Sequence, residues 1–340
     1  MSTFDPLLPS AAPEPLLEQA LADMRAGKFV VLVGAAERRG EGTLTIAAER
    51  CDADAIAYMA RHGRGIISLG LTEERCDELG LSPMTRANTS TYQAAFTVSI
   101  EARDGVSTGI SAADRARTIA VAVDPASTAA DLVSPGHIFP LRARRGGVLA
   151  RVAHTEGAVD LAALAGLRPA AVICGILTSD GEMAGPAEIE SLATELGLTV
   201  LPVEDLVAHR RRTERWIVPA GERDLRTGSG DFRAYAFEEQ HVGLTHVALV
   251  KGGASAPGPV FVHDECPSGD VFGALDCGCG DAVRTALEAL ERAGAGVLVY
   301  VARDADERRL RDVVEPACTP GVVSPRAADV ARQVLGELGR

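Results

Sequence analysis

At 340 residues, 46% of them hydrophobic and 24% charged, the chain is long enough for two globular domains and too apolar for a disordered protein. Its formal net charge of −13 gives no reason to expect a nucleic-acid or anionic-membrane partner, so any phosphate must be held by a local cluster of donors. No stretch reaches the roughly 20 apolar residues of a membrane span, and seven scattered cysteines argue for reduced thiols or metal ligation in a cytoplasmic protein.

Residues 1–12 read as a flexible Pro/Ala-rich leader. Glu14 to Ala26 then carries Leu16, Leu17, Ala20, Leu21 and Met24 on one helix face, and Gly27 stops the helix. The continuous apolar run Phe29 to Val33 predicts a strand buried on both faces, and Ala55 to His62 returns to helical spacing. A strand is expected over Phe96 to Ala102 and a helix over Ala112 to Val123. Ala170 to Ile176 reads as a second buried strand, followed by the turn Ser179-Asp180-Gly181 and a helix over Ala187 to Leu196. The charged run His209 to Arg215 reads as a solvated connector, with new strand-like segments from Trp216, which places a domain boundary near residue 210.

Four strings carry a family resemblance: HGRGIISLGLTEERCDELGL from His62, AAFTVSIEARDGVSTGISAADRARTI from Ala94, PGHIFPLRARRGGVLARVAHTEGAVDLAALAGLRPAAVICGIL from Pro135, and VEDLVAHR from Val203. Through them residues 13–210 resemble the 3,4-dihydroxy-2-butanone 4-phosphate synthases, an α/β family. The resemblance implies conversion of ribulose 5-phosphate to formate and a four-carbon phosphate, with Mg²⁺ holding substrate oxygens while carboxylates move protons. It also implies a homodimer with shared active sites.

The family's acidic loop, typically DDEDRENEGD, is Gly34 to Thr43 here. Arg38, Glu41 and Gly42 match it. Arg39 stands where a metal-binding glutamate is expected, and Thr43 replaces a catalytic aspartate. Gly175 occupies the place of the glutamate in VICE, and Ser68 that of a cysteine. His154 remains, but a lone imidazole suits Mg²⁺ poorly, so the family's metal site is expected to be lost. Arg39 is either a surface residue or a fixed positive charge able to stabilise an enolate. The implied phosphate cradle is retained: Thr108 to Ser111 ahead of a helix, with Arg151 and Thr155 flanking His154. Arg64 and His137 lie in matching motifs. The proton-transfer candidates are Glu37, Glu41 and His154, and Asp114 is a candidate substituted carboxylate.

Residues 211–340 resemble GTP cyclohydrolase II through GDFRAYAF, THVALVKG and VHDECPSGDVFGALDCGCG. Cys266, Cys277 and Cys279 have the family's C-x10-C-x-C spacing. The resemblance implies Zn²⁺ held by three thiolates, against three buried thiols as the alternative. After GVLVYV the family's RQEGRGIGL is replaced by Ala302-Arg303-Asp304-Ala305-Asp306-Glu307-Arg308-Arg309-Leu310, so this domain is expected to be C-terminally truncated and inactive on GTP. A closing helix is expected over Pro325 to Leu338.

The leading expectation is therefore a sugar-phosphate-binding, lyase- or isomerase-like protein with altered chemistry. The alternatives are a non-catalytic paralogue that regulates or scaffolds riboflavin synthesis, and an ordinary synthase with displaced metal ligands.

Overall fold

The structure, a computed structural model, describes residues 14–34, 40–303 and 323–340. The leader, together with Glu37, Arg38 and Arg39, lies outside the described residues. The chain forms two compact units that meet in sequence between Arg210 and Arg211.

The first unit is built on a seven-stranded sheet of order β4-β5-β3-β6-β2-β1-β7. Its strands are β1 (Val30–Val33), β2 (Gly42–Ala47), β3 (Arg64–Leu71), β4 (Ile100–Ala102), β5 (Leu132–Arg142), β6 (Ala170–Ile176) and β7 (Thr199–Pro202). The pairs β1–β7 and β3–β5 are parallel and the others antiparallel. Its helices are α1 (Glu14–Arg25), α2 (Ala53–Tyr58), α3 (Glu73–Glu78), α4 (Ala112–Val123), α5 (His154–Leu164), α6 (Pro186–Leu196) and α7 (Val203–Thr213).

Strand alternation sorts the two faces of this sheet. Leu44 and Ile46 of β2 and Cys174 of β6 enter a core with Ile56, Met59 and Ile119. Thr43, which pairs across the sheet with Gly175, faces the other way, toward α5. That side holds the site.

Two expectations need correction. Of the strand expected over Phe96 to Ala102, only Ile100–Ala102 forms one; Phe96 and Thr97 make isolated bridges to Leu141 and Pro83. The charged run is a solvated connector only in part: Arg212, Thr213 and Arg215 are exposed, but His209 to Thr213 form the end of α7. Arg210 is largely buried there, donating to Asp160 at 2.6 Å and to the Gly146 carbonyl at 2.8 Å. These acceptors give a charged residue a place inside the fold.

The second unit is a five-stranded sheet of order β11-β12-β10-β9-β8. It comprises β8 (Ile217–Thr227), β9 (Gly230–Glu239), β10 (Leu244–Lys251), β11 (Val260–Asp264) and β12 (Gly296–Val301), with α8 (Pro267–Asp270), α9 (Cys279–Ala293) and α10 (Pro325–Glu337). The apolar stripe of α10, Ala327, Val330 and Val334, is fully buried against β8, β11 and β12. Ser324 caps this helix and donates to Asp264. Arg326 reaches Glu239, which also pairs with the buried His246. Among the described residues, no helix is long and apolar enough to cross a membrane.

Candidate functional site

A cavity of about 360 Å³ opens on the α5 side of the first sheet. β2 supplies Thr43, β3 supplies Ser68, β6 supplies Gly175, and the start of α5 supplies His154 and Thr155; Arg151 comes from the preceding turn. Tyr92, Phe96, Ile66, Leu177 and Met183 add an apolar wall. Arg151, His154 and Thr155 are thus brought together, beside Thr43, Ser68 and Gly175, three of the positions at which the resemblance implies other residues.

The Thr43 hydroxyl and His154 Nδ1 lie 2.9 Å apart in a buried hydrogen bond. A Cβ built on Gly175 would meet nothing within 4 Å, so the cavity is open where a longer side chain would stand. Among the described residues, no carboxylate lines this cavity.

Arg151 is held from two sides. Its Nη1 donates to Glu156 Oε2 at 3.2 Å and its Nη2 to the Tyr92 carbonyl at 2.6 Å. Glu156 is completely buried and also accepts from the Arg144 amide at 3.0 Å. Burial pushes the Glu156 carboxyl up from its ordinary value, opposed by the positive charge of Arg151. The sequence reading missed Glu156. Its signal was the run His154 to Val159, which is buried throughout and leaves a carboxylate no solvent, so that it requires a partner.

The other substrate-binding candidates lie elsewhere. Thr108 and Ser111 sit on an exposed turn; Ser111 is the N-cap of α4, accepting from the Asp114 amide at 3.0 Å. The carboxylate of Asp114 turns back on Ser107 and the Gly109 amide. The Ser107 hydroxyl and these amides hold its pKa below the usual carboxylate range. Gly109 has φ +85° and lies so close over Glu101 that a Cβ would displace its carboxylate. His137 Nδ1 lies 2.8 Å from Glu101 Oε2. Arg64 adopts a left-handed φ of 67° after a π-turn and donates to the Leu177 carbonyl at 2.7 Å, so it braces the rim formed by Gly65 and Ile66. Glu41 is half-buried just ahead of β2 and does not line the cavity. Replacing Ser111 with alanine is expected to cost about 1 kcal/mol through the lost cap, read as a lower denaturant midpoint with an unchanged slope.

In the second unit Cys266, Cys277 and Cys279 converge. All three are buried, their sulfurs lie within 4.8 Å of one another, and the Cys266 and Cys277 Sγ atoms are 3.9 Å apart. Tetrahedral zinc with Zn–S bonds of about 2.3 Å sets sulfurs about 3.8 Å apart, so the spacing fits that ion. The approach requires glycine at two positions. A Cβ on Gly269 would lie 2.7 Å from the Cys277 sulfur, and one on Gly280 would lie 2.4 Å from the Gly269 carbonyl.

A mixed α/β unit whose cavity joins Arg151, His154 and Thr155, followed by a sheet unit carrying a buried three-cysteine cluster, defines a two-unit α/β protein. The chain belongs to the 3,4-dihydroxy-2-butanone 4-phosphate synthase family, whose model matches residues 18–209, and residues 219–316 match the GTP cyclohydrolase II model. It is 46% identical over 287 residues to the riboflavin biosynthesis protein RibBA of Salinispora arenicola, covering 84% of this chain and 68% of that protein. It is 44% identical over 307 residues to a 3,4-dihydroxy-2-butanone 4-phosphate synthase of Pseudomonas syringae pv. tomato, covering 89% and 83%. The crystal structure of RibBX, a two-domain 3,4-dihydroxy-2-butanone 4-phosphate synthase from A. baumannii, superposes with a TM-score of 0.77 at 34% identity, covering 95% of this chain and 90% of that one. A synthase solved in complex with two magnesium ions superposes with a TM-score of 0.55 at 37% identity, covering 58% and 97%.

Proposed function

We propose that the first unit binds ribulose 5-phosphate or a similar sugar phosphate without Mg²⁺ and acts on it by altered lyase- or isomerase-type chemistry. The observation that carries this reading is the cavity that joins Arg151 and Thr155, a cation and a hydroxyl suited to a phosphate monoester, to a His154 bonded to Thr43. Magnesium favours near-octahedral oxygen ligation, and a hydroxyl, an imidazole and a glycine on this wall do not fit it. His154, positioned by the Thr43 hydroxyl, is the described group able to move a proton at a carbon beside the substrate carbonyl. Glu37 and Glu41 are further candidates from the loop ahead of β2, and Arg39 a candidate electrostatic stabiliser.

The other half of the cradle, Thr108 to Ser111, and the motif residue His137 lie outside the cavity, which supports a homodimer in which a second copy contributes to the site. Mixing an Arg151→Met chain with a His137→Ala chain tests that arrangement. The second unit holds Zn²⁺ on Cys266, Cys277 and Cys279, where the ion would supply Lewis acidity or a structural clasp. It has no GTP cyclohydrolase activity, in keeping with Asp276 and Gly278 beside the cysteines and with the altered segment from Ala302.

Incubation with ribulose 5-phosphate, with Mg²⁺ and with EDTA, followed by NMR and mass spectrometry, tests the reading. A product formed equally under both conditions is expected. Formate that appears only with Mg²⁺ restores the ordinary synthase. A phosphate ester that binds but does not turn over favours the non-catalytic paralogue, to which the loss of carboxylates at Thr43 and Gly175 lends support.

A further inference from the structure

The carboxylate of Asp270 is the point at which three elements of the second unit are tied together. His263 on β11 and Tyr300 on β12 stand opposite each other in parallel register. His263 Nε2 lies 2.9 and 3.0 Å from the two oxygens of Asp270, and the Tyr300 hydroxyl donates to Oδ2 at 2.7 Å. The same Oδ2 accepts the Cys266 amide at 2.7 Å, while the Asp270 amide donates to the Cys266 carbonyl at 2.7 Å. Both backbone polar groups of Cys266 are therefore held by one residue.

We infer that Asp270 is a positioning residue for metal binding: it fixes the peptide of Cys266 so that its sulfur meets those of Cys277 and Cys279. The inference rests on the zinc reading above. Cys266 follows a strand end and precedes a single helical turn, so neither element alone fixes its side-chain direction. The carboxylate supplies that constraint by joining the turn to β11 and β12, and with its side chain only 8% exposed little water competes for the bonds. Cys277 and Cys279 arrive separately, at the start of α9, and are held near the turn by the close approach of Gly280 to the Gly269 carbonyl. Partners of metal ligands typically contribute about 10- to 100-fold in affinity. Asparagine can keep the bonds from Tyr300 and the Cys266 amide on its one oxygen and donate to His263 Nε2 in the other neutral tautomer, so alanine is the substitution that removes the constraint.

The test titrates zinc against a chromophoric chelator in the full-length wild type, Asp270→Ala and Tyr300→Phe. Cobalt(II) substitution provides a thiolate charge-transfer signature of the same site. Asp270→Ala is expected to weaken zinc about 10- to 100-fold, and Tyr300→Phe to weaken it less, because the other bonds to Asp270 persist. The zinc-induced rise in melting temperature should shrink in step with the affinity. A merely structural role would instead lower the melting temperature equally with and without zinc, leaving affinity within twofold of wild type, and that result overturns the inference. If the wild-type chain binds no zinc, the zinc reading fails and takes the inference with it. Tight wild-type binding left unchanged in both variants removes the inference alone.

Discussion

Replacing Arg151 by methionine is expected to weaken inorganic phosphate binding about 10- to 100-fold and to destabilise the first unit by about 3–5 kcal/mol. The two effects have different origins. The first follows from loss of the one guanidinium among the described residues of the cavity wall. The second follows from Glu156, whose buried carboxylate would keep its bond to the Arg144 amide but lose its counter-charge. Burial already raises the pKa of Glu156, and removing Arg151 removes the largest opposing influence, so the carboxyl rises further. A carboxyl whose folded pKa exceeds its unfolded value stabilises the fold below the unfolded value and loses that contribution as pH rises through the folded one. The deficit of Arg151→Met is therefore greatest near neutral pH and shrinks as pH falls toward the ordinary value of 4.5. Adding Glu156→Gln should recover most of the stability at neutral pH without recovering phosphate binding. Denaturant titrations at several pH values and calorimetric phosphate titration separate the two effects. Equal recovery of both by the double variant would show that Arg151 serves the fold and not the ligand.

How far the sequence carried differs between local order and tertiary placement. α4 and β6 begin and end where their patterns predict, because Ser111 supplies a cap and Ala170 to Ile176 is apolar enough to be buried on both faces. Phe96 to Val98 has the alternation of a strand, but its pairing is confined to isolated bridges; alternation reports side-chain sidedness, whereas a strand also needs a partner of matching length. The resemblance grouped Thr108, Ser111, Asp114 and His137 with Arg151 and Thr155, yet within one chain they form separate clusters. No local pattern encodes that separation, which depends on where the turn before α4 falls relative to α5. Tyr92 was missed for the same reason: its contribution to the Arg151 geometry is a backbone carbonyl, which any residue type provides.

On the proposed metal-independent reading, installing Asp at Thr43 together with Glu at Gly175 is expected to give the cavity an Mg²⁺ site, since no carboxylate lines it among the described residues. Thr43 and Gly175 are paired across β2 and β6, so their side chains leave the same face of the sheet. Thr43 already touches His154, and the Cβ of a residue at 175 would enter open space. Both substitutions therefore direct carboxylates toward the imidazole without displacing the core side chains Leu44 and Cys174, which belong to the opposite face. Two carboxylates, completed by water and substrate oxygens, are an ordinary ligand count for magnesium. The double variant should bind Mn²⁺, read by its paramagnetic resonance signal, and should bring Mg²⁺-dependent formate release from ribulose 5-phosphate to at least about tenfold above the parent chain, a difference of about 1.4 kcal/mol in barrier. Each single variant should fall well short, because one carboxylate leaves most of the coordination sphere to water. If formate release by the parent chain already responds to Mg²⁺ and the double variant impairs it, magnesium is held by ligands outside this wall, and the metal-independent reading gives way to the ordinary synthase.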